Sequence, residues 1–154
     1  MTVTLRRWRP DDAALASEAR ADQYVALIEN AARDGWLETR VADEWARVIE
    51  VDGVPVGGVG ASRRHVPGLA EIGYWVLEGS RGNGVATEAA AQFTDWLFVS
   101  TDVERLQATV EPWNKASQRV LEKAGFKREG LMRGYASWHG KRRDVLLYAK
   151  LAGD

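Results

Sequence analysis

The chain has 154 residues, 21 Lys and Arg against 22 Asp and Glu for a net charge of -1, and no cysteine. This length fits a single domain, 1–154, with room to bury a core. The charge balance excludes general attraction to nucleic acid or anionic lipid, and the missing thiols exclude disulfides, acyl-cysteine intermediates and cysteine metal sites.

Only two histidines occur, His65 and His139, and neither stands in a His-Glu-x-x-His spacing, so no metal is expected. No run approaches the roughly 20 apolar residues of a membrane span. The segment Met1 to Arg6 is not followed by an apolar stretch, so it does not read as a signal peptide. A cytoplasmic protein, monomer or homodimer, is the expectation.

Val3 to Arg9 alternates and predicts an amphipathic strand. Pro10-Asp11-Asp12 ends it and offers a helix N-cap. Ala13 to Asp34 predicts one bent helix or two short ones, closed by Gly35. Glu44 to Val51 and Val54 to Ser62 flank Asp52-Gly53, a strong hairpin signal. Leu69 to Leu77 adds a third strand to this antiparallel meander. After the loop Glu78 to Gly84, a helix is predicted from about Val85 to Val99, with Val85, Ala89, Phe93 and Trp96/Leu97 on one face. Leu106 to Glu111 is a strand. Asn114 caps a short helix that buries Val120, Leu121 and Ala124 and stops at Gly125. Phe126 to Met132 and Asp144 to Leu151 are two last strands joined by the basic turn His139 to Arg143. Strand-helix-strand units and hairpins in one chain predict an α/β fold, a mixed and mostly antiparallel sheet of about 6–7 strands with helices on both faces.

A strand that passes through glycines into a helix N-terminus prepares an anion site. First-turn N–H groups are unpaired, and glycine lets the backbone approach phosphate oxygens. Arg81 adds a full charge. Thr87 stands where a dinucleotide fingerprint needs its third glycine, and the Gly-Lys-Ser/Thr of a phosphate loop is absent. A plain strand-to-helix turn accounts for the loop equally well when it is taken alone.

Further residues narrow the reading. Arg81-Gly82-Asn83-Gly84-Val85-Ala86 resembles the Arg/Gln-x-x-Gly-x-Gly/Ala signature of the GNAT N-acetyltransferase superfamily. Asn114 to Ser117 and Val120 to Phe126 are similar to its second segment. Ile72 to Val76, Glu129 to Arg133, Gly140, Asp144 and Tyr148 resemble the RimJ/RimL-type branch. The resemblance covers about the last 85 residues. It implies the GNAT fold and an acetyl-CoA-dependent transfer of acetyl to a primary amine. The acceptor would be a peptide N-terminus or a small molecule, attacked directly in a ternary complex.

The resemblance also implies roles. The pyrophosphate of acetyl-CoA would lie on the backbone of Arg81, Gly82, Asn83, Gly84, Val85 and Ala86, with Thr87 at the edge. The pantetheine arm would lie beside Trp75, Val76 and Leu77, with the amide of Val76 or Leu77 stabilising the oxyanion. Asn114 would contact the arm, although a helix cap explains it equally. Ser117 would protonate the leaving thiolate, with Tyr148 as an alternative and a first-turn helix serine as the plain explanation. Glu111 at a strand end is the candidate base, with Glu71, His139 or a water chain as rivals.

The amine site is expected between the N-terminal helices and the last hairpin. Glu18, Asp22, Glu29 and Asp34, against Arg20 and Arg33, would give it a mildly acidic rim, a solvated helix face being the stronger alternative. Trp36, Trp113, Tyr135 and Trp138 are candidate aromatic walls, core packing being the alternative for each. A non-catalytic acetyl-CoA-binding module is the competing reading, because the base is poorly defined.

Overall fold

The computed structural model describes residues 1–29 and 31–154; the side chains at 26–28 and 138 lie outside that description. In chain order the elements are β1 (Val3–Arg7), α1 (Ala13–Ala21), α2 (Gln23–Glu29), α3 (Trp36–Ala42), β2 (Arg47–Val51), β3 (Val54–Arg63), β4 (Leu69–Val76), a 3-10 turn (Glu78–Ser80), α4 (Val85–Ser100), β5 (Arg105–Val110), α5 (Lys115–Lys123), β6 (Lys127–Trp138) and β7 (Lys141–Leu151). The strands form a seven-stranded sheet in the order β1-β2-β3-β4-β5-β7-β6. It is mixed, with β4 and β5 parallel over three residue pairs, Leu69↔Arg105 to Glu71↔Gln107. The chain resolves into two compact units, Met1–Ala61 with Gly73–Phe93, and Ser62–Ile72 with Thr94–Asp154.

In the first unit, Asp52 and Gly53 take φ of 50° and 83° and close the β2–β3 hairpin. Positive φ at both turn positions matches the twist of the flanking strands. The core gathers Trp8, Trp36 and Trp75 from three separate segments. Trp8 meets Trp36 edge-on at 5.5 Å between centroids, and each lies 6.2 Å from Trp75. Two glycines of β3 make this possible. A Cβ on Gly57 would lie 2.2 Å from the Trp75 carbonyl oxygen, and one on Gly58 would lie 2.9 Å from the Trp75 indole.

Two sequence expectations change here and one is decided. Asp12 stands at the N-cap of α1 as expected, but its side chain makes no cap bond; its carboxylate instead accepts from both terminal nitrogens of Arg6, at 2.7 and 2.9 Å, and from the Arg9 amide at 2.7 Å. A guanidinium offers a stronger, charge-assisted bond than a helix amide does. Gly35 does not close a helix; at φ 78° it opens α3, which the sequence reading did not foresee. Seven residues, with Trp36, Leu37 and Val41 as the large apolar ones, are too short a window for periodicity to announce a helix. Of the two readings of Trp36, pocket wall or core packing, the core one holds: it is 1% exposed.

In the second unit, β5 alternates half-buried and buried positions, and β7 pairs with it from Arg105↔Leu151 to Val110↔Leu146. The N-cap of α5 is Asn114, whose side chain accepts from the Ser117 amide. The helix stops at Gly125, φ 93°, and the Phe126 amide reaches back to the Leu121 carbonyl at 2.9 Å. Gln118, 6% exposed, joins Leu121 and Ala124 on its buried face, while Val120 is only half-buried. The strand β6 runs six residues past its expected end at Met132, to Trp138. Gly134, φ 56°, is a bulge within the strand rather than its end. Its amide donates to Asp144 and the β6–β7 register shifts between Met132 and Ala136. The connecting turn is therefore His139-Gly140 alone, and Lys141 to Arg143 belong to β7.

Candidate functional site

The loop between β4 and α4 has the backbone an anion site needs. Gly82 and Gly84 have φ of 82° and 80°, and a Cβ on either would meet nothing within 4 Å. The Gly84 carbonyl accepts the first helical bond, from Glu88 at 3.0 Å. Gly84 thus caps a 16-residue helix whose first amides, from Val85 to Thr87, have no partner within the helix. Partial positive charge collects at that end. At Gly82 and Gly84 no side chain stands between the backbone and an approaching phosphate.

The Arg81 side chain is committed elsewhere. Its Nε donates to the Val76 carbonyl at 2.8 Å, and one terminal nitrogen lies 2.9 Å from each carboxylate oxygen of Asp22. The guanidinium carbon stands 5.3 Å from the centre of the Tyr24 ring. The Arg81 amide donates to the Glu78 carbonyl at 3.3 Å, within the 3-10 turn. The expected contribution of this residue to phosphate binding therefore rests on the following amides.

Asp22 is a residue whose importance the sequence reading missed. It accepts the Tyr24 and Val25 amides, each at 3.1 Å, and the Glu78 amide at 3.1 Å, in addition to Arg81. Burial pushes its carboxyl upward, but the Val25 amide, the Arg81 guanidinium and the Glu78 amide outweigh this and hold its pKa below the usual carboxylate range. An Asp just before a helix is a readable cap signal, whereas its partner Arg81 lies 59 positions away. The acidic rim expected on the N-terminal helices accordingly has one of its four carboxylates neutralised. A second, Glu29, has its pKa raised by burial, with Arg40 opposing.

At the end of β4 the peptide groups divide. The Leu77 amide donates to the Val56 carbonyl of β3 at 2.8 Å. Amides alternate in direction along a strand, so the Val76 amide points away from β3. Of the two candidate oxyanion donors, only that of Val76 remains. The Trp75 side chain, 4% exposed, is core, which leaves its backbone as the part facing any ligand.

In the second unit, Glu111 follows β5 directly and its Oε1 lies 3.2 Å from Nη1 of Arg143 on β7. The rival Glu71 is held by Arg64 at 2.7 Å and by Gln107 at 3.3 Å. His139 sits in the β6–β7 turn at φ 51°. The Ser117 amide donates to Asn114 Oδ1 at 3.2 Å, the cap that the sequence suggested. Tyr148 is fully buried and donates to Glu122. Trp113 and Tyr135 are exposed, and the Trp138 side chain lies outside the described residues. Among the described residues no cluster of three or more His, Asp or Glu is arranged to hold a metal, and no helix is long and apolar enough to cross a membrane.

Comparison with known proteins agrees with the loop. Residues 2–127 match the acetyltransferase (GNAT) domain family. An uncharacterized N-acetyltransferase, p20, of Bacillus licheniformis is 38% identical over 84 residues, 54% of this chain and 47% of that protein. The chain thus spans about half the length of the first curated relatives it matches. The structure of Mycobacterium smegmatis RimJ in complex with CoA-disulfide superposes with a TM-score of 0.81 at 32% identity, covering 98% of this chain and 82% of that one. An acetyltransferase of the GNAT family from Bacillus anthracis gives a TM-score of 0.89 at 22% identity, covering 100% and 97%, a likeness of fold. The chain belongs to the GNAT acetyltransferase family, with a RimJ-type protein among its structural neighbours.

Proposed function

We propose that the chain is an N-acetyltransferase that passes the acetyl group of acetyl-CoA to a primary amine by direct attack in a ternary complex, with 1–154 acting as one domain. The observation that carries this reading is the backbone of Gly82 to Thr87, open at both glycines and leading into the unpaired amides of α4. The CoA-bound RimJ relative supports the same donor. Gly82, Asn83, Gly84, Val85 and Ala86 hold the pyrophosphate through main chain, with Thr87 at the edge, while the Arg81 amide stays on the Glu78 carbonyl. Trp75, Val76 and Leu77 guide the pantetheine arm, and the Val76 amide, pointing away from β3, stabilises the oxyanion. Asn114 steadies the arm while its Oδ1 caps α5. Ser117 protonates the leaving thiolate, and Glu111 takes the proton from the amine, directly or through water.

The acceptor is a peptide α-amine or a small-molecule amine of similar basicity. An α-amine near pKa 7.7–8.0 is partly neutral at pH 7, whereas a lysine amine near 10.4 is not. A carboxylate base suits the first. Incubation of the full chain with acetyl-CoA and an α-amine peptide, a lysine side-chain amine or a polyamine, with free thiol as the readout, tests this. Thiol release that needs both substrates, fastest with the α-amine, is expected. CoA binding with no turnover across the panel overturns catalysis in favour of a binding module, and failure to bind CoA overturns both.

A further inference from the structure

We infer that Asp22 and Arg81 form a latch that positions the end of β4, and that the Arg81 guanidinium is not a phosphate ligand. This deepens the acetyltransferase reading and rests on it. Two of the guanidinium's three nitrogens are engaged from within the protein. Its Nε holds the Val76 carbonyl at 2.8 Å while a terminal nitrogen sits on the Asp22 carboxylate at 2.9 Å to each oxygen. Tyr24 lies beneath the charged plane, with the guanidinium carbon 5.3 Å from the ring centre. Asp22 is in turn fixed by three amides, those of Tyr24, Val25 and Glu78, and its side chain is only 9% exposed. A carboxylate with so many donors is a rigid anchor, not a solvated counter-ion.

The consequence falls on one peptide plane. The Val76–Leu77 peptide is bonded at both ends, its carbonyl to Arg81 and its N–H to the Val56 carbonyl at 2.8 Å. That plane cannot rotate unless one bond breaks, so the direction of the neighbouring Val76 amide is set. The latch therefore positions an amide proposed to meet the thioester oxygen. It acts through Val76 rather than by touching substrate, and Asp22 and Arg81 are positioning residues. The pair is also neutral, so the loop presents main-chain dipoles, and not a free guanidinium, to the pyrophosphate.

Two substitutions separate this from phosphate binding. Asp22→Asn keeps a side-chain oxygen for the Tyr24 and Val25 amides and hence the cap on α2, but removes the anion. Arg81→Lys keeps the charge and loses the planar fork that reaches Val76 and Asp22 together. Calorimetry with CoA and steady-state turnover of acetyl-CoA with an α-amine peptide are measured for both. The expected result is a split. CoA affinity stays within about threefold or tightens in Asp22→Asn, while kcat falls on the order of ten- to a hundredfold in both variants. NMR of the Arg81 Nε–H gives a readout independent of turnover. It is expected to exchange slowly in the parent protein, to keep its shift when CoA is added, and to lose protection in Asp22→Asn. A tenfold loss of CoA affinity in Arg81→Lys with kcat unchanged, or an Nε–H signal that moves on CoA addition, overturns the latch. So does parent-like kcat in both variants. Failure of the parent protein itself to bind CoA is a different outcome and removes the acetyltransferase reading beneath it.

Discussion

The hydroxyl of Tyr148, a side chain with 0% exposure, donates to Glu122 Oε1 at 3.0 Å. Burial first, and then the Glu122 carboxylate, push the phenol above its ordinary pKa of 10.0. Folding thus favours the neutral phenol. Its contribution is whole below the unfolded pKa of about 10 and is lost as pH rises through the higher folded value. Tyr148→Phe is expected to cost about 1 kcal/mol at neutral pH and to flatten the alkaline decline. Urea titrations at neutral and alkaline pH check both; an unshifted neutral midpoint contradicts the first.

The acid side has the opposite sign. The Arg6 guanidinium, at 2.7 and 2.9 Å, holds the Asp12 carboxyl below its usual range against the opposing effect of burial, helped by the Arg9 amide. Stability from this pair is present above the unfolded carboxylate pKa of about 3.9 and is lost as pH falls through the lower folded value. Asp12→Asn is expected to lose about 2 kcal/mol at pH 7 and to show a shallower acid limb. Thermal unfolding of both proteins across pH 2–7 distinguishes this from a variant that differs by a constant amount.

Gly57 and Gly58 are steric requirements of the tryptophan core. A Cβ at 57 would stand 2.2 Å from a backbone oxygen, which moves only if β4 moves, whereas one at 58 meets the Trp75 ring at 2.9 Å. Gly57→Ala is therefore expected to destabilise by about 3 kcal/mol, and Gly58→Ala by about 1–2 kcal/mol. Calorimetric Tm and tryptophan fluorescence test the ranking. Equal effects would mean that the strand yields more easily than the ring.

Gly84 has φ 80° at the cap of α4. Alanine there has open space but an unfavourable backbone, costing about 1–2 kcal/mol. If the loop binds pyrophosphate by main chain, Gly84→Ala weakens CoA on the order of tenfold, since about 1.4 kcal/mol is a factor of ten. Titration calorimetry with CoA measures it directly. An affinity equal to that of the parent protein would place the pyrophosphate elsewhere.

Glu111→Gln keeps an acceptor 3.2 Å from Arg143 while removing the proposed base. Loss of general-base catalysis is expected to lower kcat about a hundredfold or more, with CoA affinity unchanged. A reduction below about threefold would hand the role to water alone.

The parts legible in the sequence were those whose causes lie within a few residues. Asp52-Gly53 specified its hairpin, Asn114 its cap and Gly125 its stop, because each acts on a handful of dihedrals nearby. Gly134 shows the limit. Two residues past the expected end at Met132 it takes a positive φ, yet Asp144 and Arg142 across the ladder hold it as a bulge, and β6 continues. The carboxylate of Asp12 was claimed by Arg6 of β1, six residues back, rather than by its own helix, because a guanidinium is a stronger donor than a helix amide.

The sequence by itself determined the glycine loop, the helix it enters and the family those residues signal, since a backbone anion site needs only glycines ahead of unpaired amides. Tertiary structure decided what the side chains around it do. It placed Trp36 in the core with Trp8 and Trp75, joined Glu111 to Arg143, and turned Arg81 from the loop toward Asp22. These choices depend on which elements pack together and on how much water they exclude. A guanidinium selects the nearest desolvated carboxylate in space, and the chain order of the two residues carries no record of that distance.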